Sequence, residues 1–413
     1  MDTAKVETQQ ETKKTKLTAQ SPLSMSISSL PDEIVLSFLA RISKSYYRSL
    51  SLVNKESLIL LSSTEIYAAR SHIGATEPRL YVCLWLLNKH RWFTLLNSDQ
   101  TLTTNGGEIK GELSLVPVRL SSSNPPARLN STTIAVGFKI YQIGGTVNGK
   151  RSKAVGVLDC RSHTWRRAPS MRVSRVGAKS CFLDGNIYVL GGCRKSEEES
   201  MNWGEVFDLK TQTWNPLPSP SDNYAVDSNH KVAVFGERLY VITKLNNYAY
   251  DPNEGRWLPD VGSVDLQPIT GPWCGGIEKV MEPITGRPWC VIGNVMFTDE
   301  CRKYRWYSSS HGAWLRVEGL HDLYAKRGFE YRTIQLVNYG GKLLIIWDEW
   351  VMILDRNYLI RSQDKQIWCA VIRLEERMSY LGPQIWGQVE SCNVVVPSVP
   401  KSYKLSSCQC VSV

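Results

Sequence analysis

Nine basic side chains stand between positions 150 and 180 (Lys150, Arg151, Lys153, Arg161, Arg166, Arg167, Arg172, Arg175 and Lys179) against one acid, Asp159. Ammonium groups and guanidinium forks at that density do anion chemistry: they attract carboxylates, phosphates, nucleic acid or an anionic membrane surface. The stretch carries most of the chain's net charge of +10. No nucleic-acid-binding fold pattern and no basic amphipathic helix accompanies it, which argues against nucleic acid and membrane and for an acidic protein segment.

The other reactive residue types are not arranged for catalysis. The six histidines (His72, His90, His163, His230, His311 and His321) show no metal-ligand spacing. There is no H-E-x-x-H, no Gly-x-Ser-x-Gly and no Walker loop. Eleven cysteines, an odd number, are scattered without C-x-x-C pairs, the pattern of reduced thiols in the cytoplasm or nucleus. The first twenty residues are polar and lack the apolar core of a signal peptide. The run YVCLWLL (81–87) is too short to cross a bilayer. The expectation is a binding protein, not an enzyme, with no metal and no cofactor.

A repeat positions the charges. Asp159 to Trp165, Asp208 to Trp214 and Asp251 to Trp257 share one spacing, and Ser308 to Trp314 keeps it with Ser for Asp. The first two copies follow KIYQIGG (139–145) and NIYVLGG (186–192). A period near 50 residues means a stacked or circular architecture. Each unit parses into four strands, a blade of a β-propeller. Paired glycines let backbone pass close to backbone, Asp caps the turn through downstream N–H groups, and Trp packs on the next blade. These residues therefore build the ring and are not ligands.

Counting strands opened by Trp92, Trp165, Trp214, Trp257, Trp314 and Trp386 favours six blades, while the irregular interval from Trp314 to Trp386 leaves five or seven open. RLYVCLWLL (79–87) and RWFTLL (91–96) read as the third and fourth strands of a blade. CNVVVPSVP (392–400) and KLSSCQCVSV (404–413) are expected to supply its first two, which removes exposed sheet edges. Before the β region, residues 1–23 read as a disordered tail. Residues 24–74 read as a small all-α unit: Ile34, Val35, Phe38, Leu39 and Ile42 repeat at helical spacing behind Pro31. Two short helices follow, and a last one is expected to be capped by Ser62-x-x-Glu65 and stopped by Gly74.

SLPDEIVLSFLARISKSYYRSLSLVNKESLILL (29–61) resembles an F-box. With KIYQIGG, LDCRSHTWRRAPSMRVSRVGA and NWGEVFDLKTQTWNPLPSP behind it, the chain resembles a plant F-box/kelch-repeat protein. The resemblance implies a mainly β fold, an F-box over 24–74 and a kelch-type propeller over 79–413. It also implies a non-catalytic substrate receptor of an SCF-type cullin-RING ubiquitin ligase, in which a Skp-type linker protein binds the F-box and a target binds the propeller. By motif position, Leu30, Pro31, Ile34, Leu50, Leu52 and Val53 would contact the linker by burial of apolar anchors in a groove. Arg48 stands where related F-boxes often carry Pro. In a kelch blade the loop after Gly-Gly and the loop leaving the Trp strand emerge together. Lys150, Arg151, Lys153, Arg172 and Arg175 would then share a face that binds an acidic or phosphorylated target, with Arg161 in the opposite turn. The alternatives are a kelch scaffold independent of ubiquitination and a kelch-fold copper oxidase, the latter disfavoured because the chain lacks a secretory signal and a suitable histidine pair.

Overall fold

A computed structural model describes residues 30–87, 89–98, 112–120, 128–193, 203–220, 230–243, 247–258, 287–300, 303–327, 332–355, 358–380 and 382–413. The tail expected over 1–23 lies outside the described residues. Four helices come first: α1 (Asp32–Arg41), α2 (Tyr47–Leu50), α3 (Lys55–Ser62) and α4 (Glu65–His72). Helix α1 follows Pro31, with Asp32 and Glu33 in its first turn and Arg41 in its last, charges that suit the helix dipole. Val35, Leu39 and Ala40 turn inward from it onto Leu61 and Ile66. The Oδ1 of Asn54 caps α3 by accepting from the Ser57 N–H at 2.7 Å.

The capping box expected at Ser62 does not form. Ser62 is the last residue of α3, and Thr64, in helical conformation ahead of α4, makes no cap bond. Gly74 does end the helical unit, at φ +68°. The unit is pinned by Arg70, whose side chain is 1% exposed. Its guanidinium donates to the carbonyls of Ala40 at 3.2 Å and Ile42 at 2.6 Å, satisfying acceptors that α1 leaves open.

Beyond Pro78 the chain forms six four-stranded antiparallel sheets. In order from the axis outward, blade 2 comprises Thr132–Val136, Lys139–Ile143, Val155–Asp159 and Thr164–Ala168; blade 3 follows with Lys179–Leu183, Asn186–Leu190, Gly204–Asp208 and Thr213–Leu217. Blade 4 is Lys231–Phe235, Arg238–Ile242, Asn247–Asp251 and Arg256–Leu258; blade 5 is Trp289–Ile292, Val295–Glu300, Lys303–Ser308 and Ala313–Arg316. Blade 6 has the long strands Lys342–Asp355, Tyr358–Ser379 and Gly382–Pro400 outside Arg332–Tyr339. Blade 1 combines Pro78–Leu86, Lys89–Ser98 and Glu112–Pro117 with the C-terminal Lys404–Ser412 as its innermost strand. Each innermost strand touches the next all the way round. The ring has six blades and is closed.

Closure differs from the expectation in its register. Only Lys404–Ser412 joins blade 1, so Pro78–Leu86 and Lys89–Ser98 are its second and third strands. The 392–400 segment instead continues the outer strand of blade 6, paired with Tyr358–Ser379. Trp92 accordingly lies on a third strand, whereas the other five counted tryptophans lie on outer strands. The irregular interval before Trp386 comes from helix α5 (His321–Lys326) and the long strands of blade 6.

The repeat residues act as their types require. The Asp208 carboxylate accepts from the N–H groups of Lys210 at 2.7 Å and Thr211 at 3.1 Å, and Asp251 does the same for Asn253 at 3.0 Å. In the four repeat copies the residue two before the outer Trp takes positive φ: His163, Gln212, Gly255 and Gly312. A Cβ on Gly144 would stand 2.6 Å from the Arg175 carbonyl oxygen, and one on Gly192 2.8 Å from that of Val176, so the paired glycines admit the incoming loop. Trp214 donates its indole N–H to the Pro169 carbonyl at 2.9 Å, and Trp257 to Pro218 at 2.7 Å, each reaching the preceding blade.

Burial concentrates between blades, with one apolar cluster at each of the six junctions. The junction of blades 4 and 5 is the smallest among the described residues, built on Ile242, Met296 and Trp314. In contrast, the junction of blades 6 and 1 holds the closing strand with Leu80, Val82, Leu344 and Tyr403. Deleting residues 404–413 is therefore expected to abolish cooperative unfolding of the whole ring, read by calorimetry; an unchanged melting temperature would mean that closure rests elsewhere.

Candidate binding surfaces

Two surfaces lie at opposite ends of the ring. Glu77, where the helical unit meets blade 1, exchanges backbone hydrogen bonds with Val413 at 2.8 and 3.0 Å. Its carboxylate pairs with Arg70 at 2.8 Å and accepts from the Lys44 N–H at 3.2 Å. Tyr67 of α4 packs onto the cluster of Tyr81, Cys160 and Phe138 between blades 1 and 2. The helical unit thus sits at the end where innermost strands turn into second strands.

On that unit the structure separates the expected linker contacts into two sets. Leu30 and Leu50 are half-buried against the unit's own core. Leu52 is 82% exposed, Val53 70% and Ile34 44%, and Pro31 stands exposed at the start of α1. The unit's core does not use Leu52 or Val53. Sequence reasoning missed Phe38 (62% exposed) and Ile59 (67%) as members of this surface. Their signal was present: Phe38 lies one turn after Ile34, so an exposed Ile34 implies an exposed Phe38.

At the other end, two loops come together as expected. The loop carrying Lys150, Arg151 and Lys153 meets the loop carrying Arg172 and Arg175 through a Ser152–Arg175 bridge and the Met171 N–H, which donates to the Lys153 carbonyl at 2.8 Å. Arg161 lies in the opposite turn, paired with Asp159 at 2.9 Å and stacked over Phe138 at 3.5 Å. Lys150, Lys153 and Arg172 are exposed. Arg151 is half-buried and donates to the Gly192 carbonyl of blade 3.

Arg175 is a correction. Its side chain is fully buried, its guanidinium held by Glu205 at 2.9 Å and by the carbonyls of Gly191 at 2.8 Å and Trp203 at 3.1 Å. It fixes the loop between blades and presents nothing to a target. Glu205, also buried, accepts in addition from the backbone N–H groups of Arg172 at 2.7 Å and Val173 at 3.1 Å. Arg128 repeats the arrangement one blade earlier, donating to the carbonyls of Ala154 at 2.8 Å and Gln142 at 3.4 Å. Each arginine stands four residues before its innermost strand, a register visible in the sequence.

Among the described residues no group of three or more His, Cys, Asp or Glu is placed to hold a metal ion. His163 is a turn residue whose Nε2 lies 2.9 Å from the Tyr81 hydroxyl. Burial pushes the Cys83 thiol up to about 12 and those of Cys160 and Cys181 higher still, the opposite of what a nucleophile needs. No described helix is long and apolar enough to cross a membrane. Arg175→Ala, which strands a buried Glu205, is expected to cost about 3–5 kcal/mol. Arg172→Ala keeps its backbone bond and should change stability by less than about 0.5 kcal/mol. Urea unfolding of the two variants checks the contrast, and equal losses would refute it.

The profile of the FKB95 kelch-repeats domain matches residues 92–396. A putative F-box/kelch-repeat protein of Arabidopsis thaliana is 79% identical over 413 residues, covering the whole of both chains. Two further F-box/kelch-repeat proteins of Arabidopsis thaliana are 40% identical over 97% of this chain and 98% of their own, and 38% identical over 98% and 97%. Helices at one end, a closed six-bladed ring and similarity along the full length agree: the chain belongs to the plant F-box/kelch-repeat family.

Proposed function

We propose that the protein is the substrate-recognition subunit of an SCF-type cullin-RING ubiquitin ligase, with an F-box over 24–74 that binds a Skp-type linker and a propeller over 79–413 that holds the target. One observation carries this reading. Ile34, Phe38, Leu52, Val53 and Ile59 remain exposed on a unit of only about fifty residues, although its own core and the ring lie close by. Several large apolar side chains left in water on so small a unit suit coverage by a partner. Helical anchors of this kind suit burial in a partner's groove. The chain then contributes binding and geometry, and ubiquitin transfer belongs to other subunits. Cytoplasm or nucleus is the compartment proposed for it.

The target is proposed to approach the end of the ring away from the F-box. There Lys150, Lys153 and Arg172 form the accessible part of the basic face, suited to an acidic or phosphorylated segment. Leu52→Asp with Val53→Asp is the decisive variant, because neither side chain supports the fold. The wild-type chain should co-purify with a Skp-type linker and cullin. The double variant should lose at least about 3 kcal/mol of that affinity, with the melting temperature unchanged. Retention of the linker by the variant, or no linker on the wild-type chain, would favour a scaffold independent of ubiquitination.

A further inference from the structure

The mouth of the central channel carries a ring of positive charge. Innermost strands begin at the end away from the F-box, and four of the six begin on a basic residue: Lys179, Lys231, Arg332 and Lys404. A fifth, Trp289–Ile292, has Arg287 two residues before it. These five line a cavity of about 1510 Å³ that also takes in Lys365 and Lys401, with Asp299 as the one acid on its wall among the described residues.

The nearby carboxylates neutralise only part of the ring. Asp348 is spent on Arg332 at 3.1 Å, Lys365 at 3.1 Å and the Tyr403 hydroxyl at 2.6 Å. Glu300 is shared between Arg287 and Arg305, each at 2.8 Å. Asp299 accepts from the Thr333 hydroxyl at 2.5 Å, and burial raises its carboxyl toward the neutral form. Among the described residues no carboxylate pairs with Lys179, Lys231 or Lys404. Burial, with Lys179 and Arg287 beside it, lowers the Lys231 ammonium to about 7.

Folding does not require this crowding, since the corresponding position in blade 2 is Thr132. Like charges converging on a closed wall repel one another until an anion sits between them. The ring is closed on all sides, which suits a compact ligand better than a strand of nucleic acid, for which a groove open at both ends is needed. Seven basic side chains, three of them paired with the two carboxylates Asp348 and Glu300, leave a net positive wall with room for more than one phosphoryl group.

We propose that this channel mouth is a binding site for a compact polyanion with clustered phosphoryl groups, held between Lys179, Lys231, Arg287 and Lys404. The phosphoryl groups belong either to a free small molecule or to a multiply phosphorylated segment of a target. The site is distinct from the outer loops of Lys150 and Arg172 and does not depend on linker binding.

Calorimetric titration of the full chain tests it, in about 150 mM KCl so that distant charges are screened. The probes are tripolyphosphate, a triply phosphorylated peptide and its unphosphorylated form. Tripolyphosphate or the phosphopeptide should bind in the micromolar range, on the order of 1–100 μM, and the unphosphorylated peptide should not. Whichever of the two binds more tightly identifies the source. Lys231→Gln with Lys404→Gln should weaken binding at least about tenfold, Lys231→Arg with Lys404→Arg should restore it, and Lys210→Gln, in the turn at the opposite end of blade 3, should leave it unchanged. No heat from either phosphorylated probe at millimolar concentration would overturn the proposal. So would equal weakening by the channel variant and by Lys210→Gln.

Discussion

The antiparallel pairing of the last strand with the first holds this molecule together. Lys404–Ser412 lies along Pro78–Leu86, so strands more than 300 residues apart in sequence meet in one sheet. Six sheets packed face to face around an axis stabilise one another only if the circle closes; otherwise two blades expose an apolar face and a strand edge. The final bonds of that pairing, between Glu77 and Val413, also anchor the F-box, because the Glu77 side chain reaches Arg70 and Lys44. Ring closure and F-box attachment are therefore one junction.

That junction orders the functional surfaces. The F-box leaves apolar side chains uncovered at one end, and the charged loops and channel mouth lie at the other. In the proposed role, a receptor that holds a target while another subunit carries the ubiquitin-transfer machinery needs its two binding ends at a fixed separation. A closed propeller supplies this, since each blade is braced on both sides by an apolar cluster.

The parts of the fold that repeat were legible in the sequence. The Asp-to-Trp spacing and the paired glycines gave the blades, because all four copies use the same turn conformation and the two with paired glycines share the same close approach of backbone. Closure by the C-terminal strand was legible in kind but shifted by one strand. The first blade lacks the Gly-Gly and Asp signals that set register elsewhere, and the unusual length of blade 6 absorbs the 392–400 segment. At the sites, charge alone did not separate exposed from buried arginine. Arg172 and Arg175 look alike in the sequence, but only Arg175 sends its guanidinium to the buried Glu205, a residue thirty positions away on the next blade. The channel ring was hidden for a similar reason: its members are spread from Lys179 to Lys404 and become neighbours only when the circle closes.

The central claim is that the F-box and the basic outer loops are held rigidly at opposite ends through Glu77. Pulsed electron–electron double resonance between labels at Ser49 and Lys153 measures this directly. The labels enter through noncanonical amino acids, because eleven native cysteines preclude thiol labelling. A single narrow distance distribution is expected for the wild-type chain, and a broadened one for Glu77→Ala with the ring still folded. A broad distribution in the wild-type chain, or no change in Glu77→Ala, would contradict the account.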